Sequence, residues 1–220
     1  MIPASILKKY GARLVQVKKD EPIFSAGDAA LHYFQMETGV VKMITTSADG
    51  QEFIQGIFRS GESFGEPPLF CSFNYPSTAK ALEQSSVYKL SKNLFFLLLE
   101  ENFELHLAFD RILCERLKYK SMILSEISFH DPEHRIMSLL EHLKITADST
   151  SNSIREDSVG RNYVVPFTRQ QLADMSGLRV ETVIRTVKQR ENTIAGQKNY
   201  HLKLIKQREK LLQTIVSKLN

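Results

Sequence analysis

Cysteine is scarce in this 220-residue sequence: Cys71 and Cys114 stand far apart and in no CxxC spacing. Two thiols cannot supply a cysteine-only cluster or a cysteine-only structural zinc site within one chain. Free cysteines are usually buried, so both are expected inside. Long apolar runs are missing too. Leu94-Phe-Phe-Leu-Leu-Leu99 has six residues, against the roughly 20 that a membrane-spanning helix needs. The N-terminal Met1-Ile-Pro-Ala-Ser-Ile-Leu-Lys-Lys9 lacks a signal-peptide pattern. The expectation is a cytoplasmic protein with no membrane partner. No Ser/His/Asp or Cys/His constellation, metal-spaced cluster or P-loop is present, which argues against an enzyme. Asp131-Pro-Glu-His134 reads as a helix start.

The apolar fraction of 42% suffices for ordinary cores. The formal net charge of +4 is unevenly spread. Residues 161–220 hold 12 Lys and Arg against 4 Asp and Glu, a balance of +8, while the first 160 hold 17 against 21, a balance of −4. A basic C-terminal quarter suits phosphate binding, although a solvated basic face has the same composition.

Short extended runs broken by turns fill the segment from Glu21 to Leu90, after an N-terminal helix and a strand at Arg13–Lys18. Pro22-Ile-Phe precedes Ala26-Gly-Asp28, His32–Met36 precedes Thr38-Gly39, and Phe53–Phe58 precedes Ser60-Gly-Glu62. Val40–Thr45 precedes Asp49-Gly50, a strong hairpin signal. Val87–Leu90 ends the series. Gly27, Gly39, Gly50 and Gly61 recur at the turns, a pattern of a small antiparallel barrel or jelly roll.

The period then changes. Leu94–Leu99 opens a helical stretch, and apolar residues recur at helical spacing from Asn102 to about Phe129. Leu113, Leu117, Leu124 and Ile127 form one stripe, with Lys120 at its missing position, and Phe109, Ile112, Tyr119 and Ile123 form another. One stripe can cover the barrel and the other meet a second copy; a helix buried within one chain remains the alternative. Asp131-Pro132 caps a further amphipathic helix to Lys144, with Ile136, Leu139, Leu140 and Leu143 inward. A polar loop over 147–162 and a strand at Tyr163–Phe167 follow.

Thr168 to Lys188 reads as two helices joined by a turn. Thr168 and Gln171 have capping-box spacing, and Leu172 and Met175 share an apolar face. Ser176-Gly177 makes the turn. A second helix follows from about Arg179 to Asn192, with Val183 and Val187 inward and Glu181, Arg185 and Lys188 on another face. Residues from Ile194 to Ile205 suggest a hairpin wing, and an amphipathic helix ends the chain.

This order of parts resembles the cyclic-AMP receptor protein and FNR (Crp–Fnr) family of bacterial transcription regulators over nearly the whole chain. Glu21–Asp28 looks like the family's opening turn, and Ser60–Glu66 like the entry to its phosphate-binding cassette. Thr168–Ala173 resembles its first DNA-binding helix, and Glu181–Arg185 its recognition helix. The resemblance implies an α+β chain: an N-terminal double-stranded β-helix (jelly roll), a long central dimerisation helix and a C-terminal winged helix-turn-helix. Residues 1–129 would form the sensor domain, with the dimer helix at about 102–129, and residues 130–220 the DNA-binding domain. The implied partners are double-stranded DNA, a second copy of the chain and RNA polymerase.

The resemblance places the ligand pocket at Phe64, Gly65, Glu66, Tyr75, Ser77 and Thr78. Cyclic-nucleotide binders of the family have an Arg about ten residues after Gly-Glu; here that place falls at Tyr75 or Pro76, and no Arg lies between Arg59 and Arg111. A buried phosphate without a guanidinium is costly, so cyclic AMP is not expected to bind. Too few cysteines exist for the family's iron–sulfur cluster. His32 and His106 are each read as ordinary surface or core histidines, so haem is not expected. On the DNA side, Glu181 and Arg185 match the family's base readers. Thr168, Arg169, Gln170, Thr182, Lys188 and Lys198 are candidate phosphate contacts. Val180 and Ile184 depart from the family: exposed, they would form an apolar edge suited to thymine methyl groups, whereas Ile184 packed inward would join Val183. A different class of function also accommodates the altered pocket: a ligand- or protein-binding β-roll whose C-terminal domain makes protein contacts.

Overall fold

The computed structural model describes residues 2–129, 131–149 and 167–189. The chain divides into two compact units, one of Met1–His130 with Asp174–Gly177 and one of Asp131–Ala173 with Leu178–Asn220.

The first unit is a roll of two four-stranded antiparallel sheets. Strands β1 (Arg13–Val17), β2 (Pro22–Phe24), β3 (His32–Thr38), β4 (Val41–Thr46), β5 (Glu52–Phe58), β6 (Ser63–Phe64), β7 (Thr78–Ala81) and β8 (Ser85–Ser91) pair in the orders β1-β8-β3-β6 and β2-β7-β4-β5. The β4–β5 hairpin turns at Gly50, whose φ of +81° suits a residue without Cβ. Helix α1 (Ala4–Lys9) precedes the roll, and α2 (Pro67–Cys71) follows β6. Helices α3 (Lys92–Glu101) and α4 (Phe103–Phe129) come after β8.

Strand β3 shows why the roll and helices form one core. Its alternate side chains serve opposite faces, and both are covered. Phe34 packs on Phe24 and Phe64 inside the roll, while Tyr33 stacks on Phe95 of α3 at 4.4 Å and meets Phe109 of α4 edge-on. Gln35 lies buried and accepts from Ile2 N and the Tyr33 hydroxyl, and its amide donates to Ile2 O. These bonds tie down the N-terminal segment.

Helix α4 carries two stripes, as the spacing suggests. Phe109 and Ile123 are buried, whereas Leu117 is 69% and Leu124 66% exposed, and Ile127 is also exposed. Burial pushes the Tyr119 phenol up to about 12, as expected for an inward position. The reading of the thiols needs correction, because Cys71 and Cys114 are both exposed. Cys71 ends the short helix α2, and Cys114 lies on α4 between the exposed Glu115 and the half-buried Leu113.

In the second unit, α5 (Pro132–Ser149) starts where Asp131 caps it: His134 N donates to Asp131 Oδ1 at 2.9 Å. Ile136 and Leu139 are buried on its inward face. The helix runs to Ser149, three residues into the segment expected to be loop. Helix α6 (Arg169–Ser176) and a final helical stretch, α7 (180–189), complete the description. Of the strand expected at Tyr163–Phe167, residues 163–166 lie outside the described residues and Phe167 is a bend; the wing with Lys198 and the last helix also lie outside them. No helix among the described residues is long and apolar enough to cross a membrane.

Candidate nucleic-acid interface and effector cassette

The helix-turn-helix is defined by its caps. Thr168 N donates to Gln171 Oε1 at 2.9 Å, and Gln171 N donates to Thr168 Oγ1 at 3.1 Å. This reciprocal capping box satisfies two of the donors that a helix start leaves open. At the other end, Gly177 takes φ +66° and Leu178 N donates to Ala173 O at 3.1 Å. That is the Schellman closure, which needs a left-handed residue just past the helix. Helix α7 begins at once, its first turn fastened by Thr182 N and Val183 N, both donating to Arg179 O.

Burial sorts the residues of α7. Val183 and Thr186 face inward, and Val187 is only half-buried. The inward row is therefore 183 and 186, not 183 and 187 alone. Glu181, Arg185 and Lys188 are all exposed, at spacings of four and three that place them on one face. Ile184 is 48% exposed, so it joins the outward edge and does not pack beside Val183. Val180 and Thr182 are half-buried, and Thr168, Arg169 and Gln170 are exposed at the start of α6. A helix start offers amide N–H groups and a positive dipole end to an anion. A helix with Arg, Glu and an aliphatic side chain on one outward face offers the donor, acceptor and apolar contacts that base edges recognise.

The cassette of the β-roll differs from expectation. Phe64, Glu66, Tyr75 and Ser77 are buried. Gly65 has φ +75°, and a Cβ placed there would meet the Phe24 ring at 2.8 Å and Tyr75 at 3.2 Å. Phe24 and Tyr75 stack with ring centroids 3.6 Å apart, and Phe34, Phe58 and Phe64 continue the aromatic cluster. The backbone of Tyr75 is pinned on both sides: Gly27 N donates to its oxygen, and its N donates to Asp28 O. Thr78 Oγ1 accepts from Ala26 N at 3.0 Å. Phe64, Gly65 and Tyr75 thus come together around Phe24, and Thr78 is bonded to the adjoining turn. Displacing the Phe24–Tyr75 stack would expose two large side chains, at about 1.5–3 kcal/mol each.

Glu66 is 1% exposed and has a partner the sequence reading missed. Arg116 of α4 donates from Nη1 to both its oxygens, at 3.0 and 2.8 Å, and from Nη2 to Ser63 O. The guanidinium also lies 5.1 Å from the centroid of the Phe58 ring. The cassette therefore does have a cation, delivered from the long helix. A signal existed: Phe109, Ile112, Tyr119 and Ile123 leave a gap of seven, and Arg116 fills it at four and three. Of the histidines weighed as axial ligands, His32 is half-buried with its pKa lowered by burial and then by the Lys89 charge. His106 lies 3.9 Å from Asp110 on α4. Among the described residues, no group of three or more His, Cys, Asp or Glu is placed to hold a metal ion.

Known proteins share this organisation. A cyclic nucleotide-binding domain model matches residues 14–102, and a Crp-like helix-turn-helix domain model matches residues 134–214. The chain is 24% identical over 169 residues to the anaerobic regulatory protein of Haemophilus influenzae, covering 77% of this chain and 63% of that one. It is likewise 24% identical over 169 residues to the fumarate and nitrate reduction regulatory protein of Vibrio cholerae, covering 77% and 65%. The chain thus spans less than two thirds of the length of these curated relatives. Among solved structures, the c-di-GMP responsive global regulator CLP of Xanthomonas campestris superposes with a TM-score of 0.72 at 21% identity, covering 87% of this chain and 93% of that one. A CooA mutant from Carboxydothermus hydrogenoformans superposes with a TM-score of 0.71 at 15% identity, covering 88% and 81%. With a β-roll, a long helix and a capped helix-turn-helix in the same order, and with both domain models matched, the chain belongs to the Crp–Fnr family of transcription regulators.

Proposed function

We propose that this protein is a sequence-specific DNA-binding regulator that reads an inverted repeat as a homodimer. The observation that carries the reading is the outward face of α7, where Glu181, Arg185 and Lys188 stand exposed in one row beside Ile184. Arg185 is assigned to a guanine through a bidentate fork and Glu181 to a cytosine amino group. Ile184, with Val180 behind it, is assigned to a thymine methyl. Thr168, Arg169, Gln170, Thr182, Lys188 and Lys198 hold phosphates.

The dimer is built on α4. Leu117, Leu124 and Ile127 leave a large apolar stripe in water, and burying each side chain fully against a second copy contributes about 1.5–3 kcal/mol. Two-fold symmetry then sets half-sites one helical turn apart, about 34–36 Å. Residues 1–129 act as the sensor unit and 130–220 as the DNA-binding unit. RNA polymerase is the proposed protein partner, and the cytoplasm the proposed location. Cyclic AMP is not a ligand in this reading, because no Arg lies between Arg59 and Arg111 to meet its phosphate and the cassette glycine is faced by the Phe24–Tyr75 stack.

Selection from random duplex DNA tests the proposal, with sedimentation of the protein in parallel. The expected result is an enriched inverted repeat bound by two chains, with affinity that falls steeply as salt rises. A monomer that enriches no sequence, or a protein that heparin does not retain, favours the protein-contact reading instead.

A further inference from the structure

Helix α4 has a regular outward seam besides its buried stripe. Positions 103, 110, 117 and 124 and positions 106, 113, 120 and 127 alternate by three and four, the spacing of a two-stranded coiled coil. On this seam Phe103, Leu117, Leu124 and Ile127 are exposed. Two seam positions near the start of the helix are polar. They hold His106 and Asp110, four apart and so on one face. His106 Nε2 lies 3.9 Å from Asp110 Oδ2, and neither side chain is buried. One turn earlier, the Phe103 ring meets the imidazole edge-on at 6.5 Å between centroids.

Two-fold symmetry doubles this pair. Two chains that read one inverted repeat present their C-terminal units to the same duplex, so their α4 helices run side by side in one direction. Each seam residue then faces its own copy. Two Asp110 carboxylates brought together between apolar neighbours repel and lose water, which is costly unless a cation joins them. A divalent cation supplies both charges at once. Two imidazoles and two carboxylates also make a complete tetrahedral set, and zinc takes both donor types. The spacing fits: neighbouring ligands of a tetrahedral zinc with bonds of about 2.1 Å stand about 3.4 Å apart. A small side-chain rotation closes the 3.9 Å seen here to that value. Calcium and magnesium do not fit, because they take six or more ligands, nearly all oxygen. Within one chain the pair is only half a site, in keeping with the absence of any three-donor group among the described residues.

We propose that His106 and Asp110 from two copies of the chain bind one zinc ion on the two-fold axis at the start of α4, and that the ion tightens the dimer. The inference rests on the homodimer of the reading above. The four ligands gather only in the dimer, so zinc favours assembly by mass action.

The test uses the full chain carrying Cys71→Ser and Cys114→Ser, since exposed thiols bind zinc on their own account. The protein is stripped with chelator, zinc binding is followed by equilibrium dialysis, and assembly by sedimentation. The expected results are one zinc per two chains and a dimer dissociation constant lowered about tenfold or more by zinc, within the usual span of coupling between sites. Cobalt in place of zinc is expected to show the intense visible bands of a tetrahedral ion. His106→Ala and Asp110→Asn should each abolish the bound metal and the response of assembly to zinc. Both side chains reach solvent, and the second substitution keeps the shape, so folding is not at stake. One zinc per chain on a monomer, no uptake at zinc levels equal to the protein, or zinc retained by both variants would overturn the site. So would a chelated dimer that tightens on acidification and ignores zinc, the behaviour of imidazolium–carboxylate pairs. A dimer that reads its duplex and ignores zinc sinks the metal site alone. A zinc-bound dimer that enriches no sequence supports the metal site and sinks the DNA-binding reading. A chain that stays monomeric with and without zinc overturns both.

Discussion

Removing the Arg116 side chain gives the sharpest energetic test of the sensor unit. Glu66 is 1% exposed, so Arg116→Ala leaves a carboxylate buried with no cation. Breaking one partner out of a buried pair costs about 3–5 kcal/mol. The Arg116 side chain is itself 27% exposed, and water entering from its side offsets part of the penalty. The lower figure, about 3 kcal/mol, is therefore expected. For a chain of this size that corresponds to a fall of roughly 6–12 °C in Tm. Glu66→Gln removes the charge but keeps an acceptor, and the guanidinium it leaves can reach water, so a cost of about 1–2 kcal/mol is expected. Replacing the pair by Leu at 66 and Met at 116 removes both charges and most of the void, and should cost less than Arg116→Ala alone. Thermal unfolding by far-UV circular dichroism ranks the three variants. The reasoning is refuted if Arg116→Ala melts with wild type, or if the apolar double variant is the least stable.

Three further outcomes follow from other parts of the molecule. Gly39 has φ +90° and a Cβ there would lie 2.8 Å from Ser85 Cα, whereas Gly50 has φ +81° and open space. Gly50→Ala should cost about 1–2 kcal/mol for the left-handed backbone alone, and Gly39→Ala clearly more, as urea midpoints would report. Thr168→Ala removes the acceptor for Gln171 N and should destabilise α6 by about 1 kcal/mol, visible as faster hydrogen exchange at 169–172. His32 has a pKa lowered by burial and then by Lys89, so the unfolded chain binds its proton more readily. Stability present at neutral pH is then lost as pH falls through about 6.5. His32→Gln should shrink the difference between urea midpoints at about pH 7.5 and about pH 5.5; an undiminished difference assigns that dependence to other groups.

Much of the architecture was legible because local signals agreed with the global fold. Asp49-Gly50 between two alternating runs announced the β4–β5 hairpin, and Thr168 with Gln171 announced the start of α6. Other parts left little trace. Strand β6 has only two residues and is defined by its partner β3. Strand β7, Thr-Ala-Lys-Ala, buries only the small Ala79 and Ala81, and their burial depends on β2 and β4. Cys71 and Cys114 were misplaced because a residue-type tendency says nothing about which side of a helix faces the core. The cassette was half legible. The missing Arg in the β-roll was plain, but sorting α4 by apolar residues alone passed over Arg116 in the inward row. Ile184 could not be assigned from spacing, since positions 183, 184 and 187 all lie within reach of one apolar face.

The most direct test of the central claim compares Arg185→Ala and Lys188→Ala with wild type on the selected duplex and on single-base variants of it. Arg185→Ala should lose about 1–3 kcal/mol of discrimination at one base pair in each half-site, while Lys188→Ala should weaken all sequences alike and flatten the salt dependence. An Arg185→Ala protein that binds as tightly and as selectively as wild type would contradict the assignment of α7 as the reading helix.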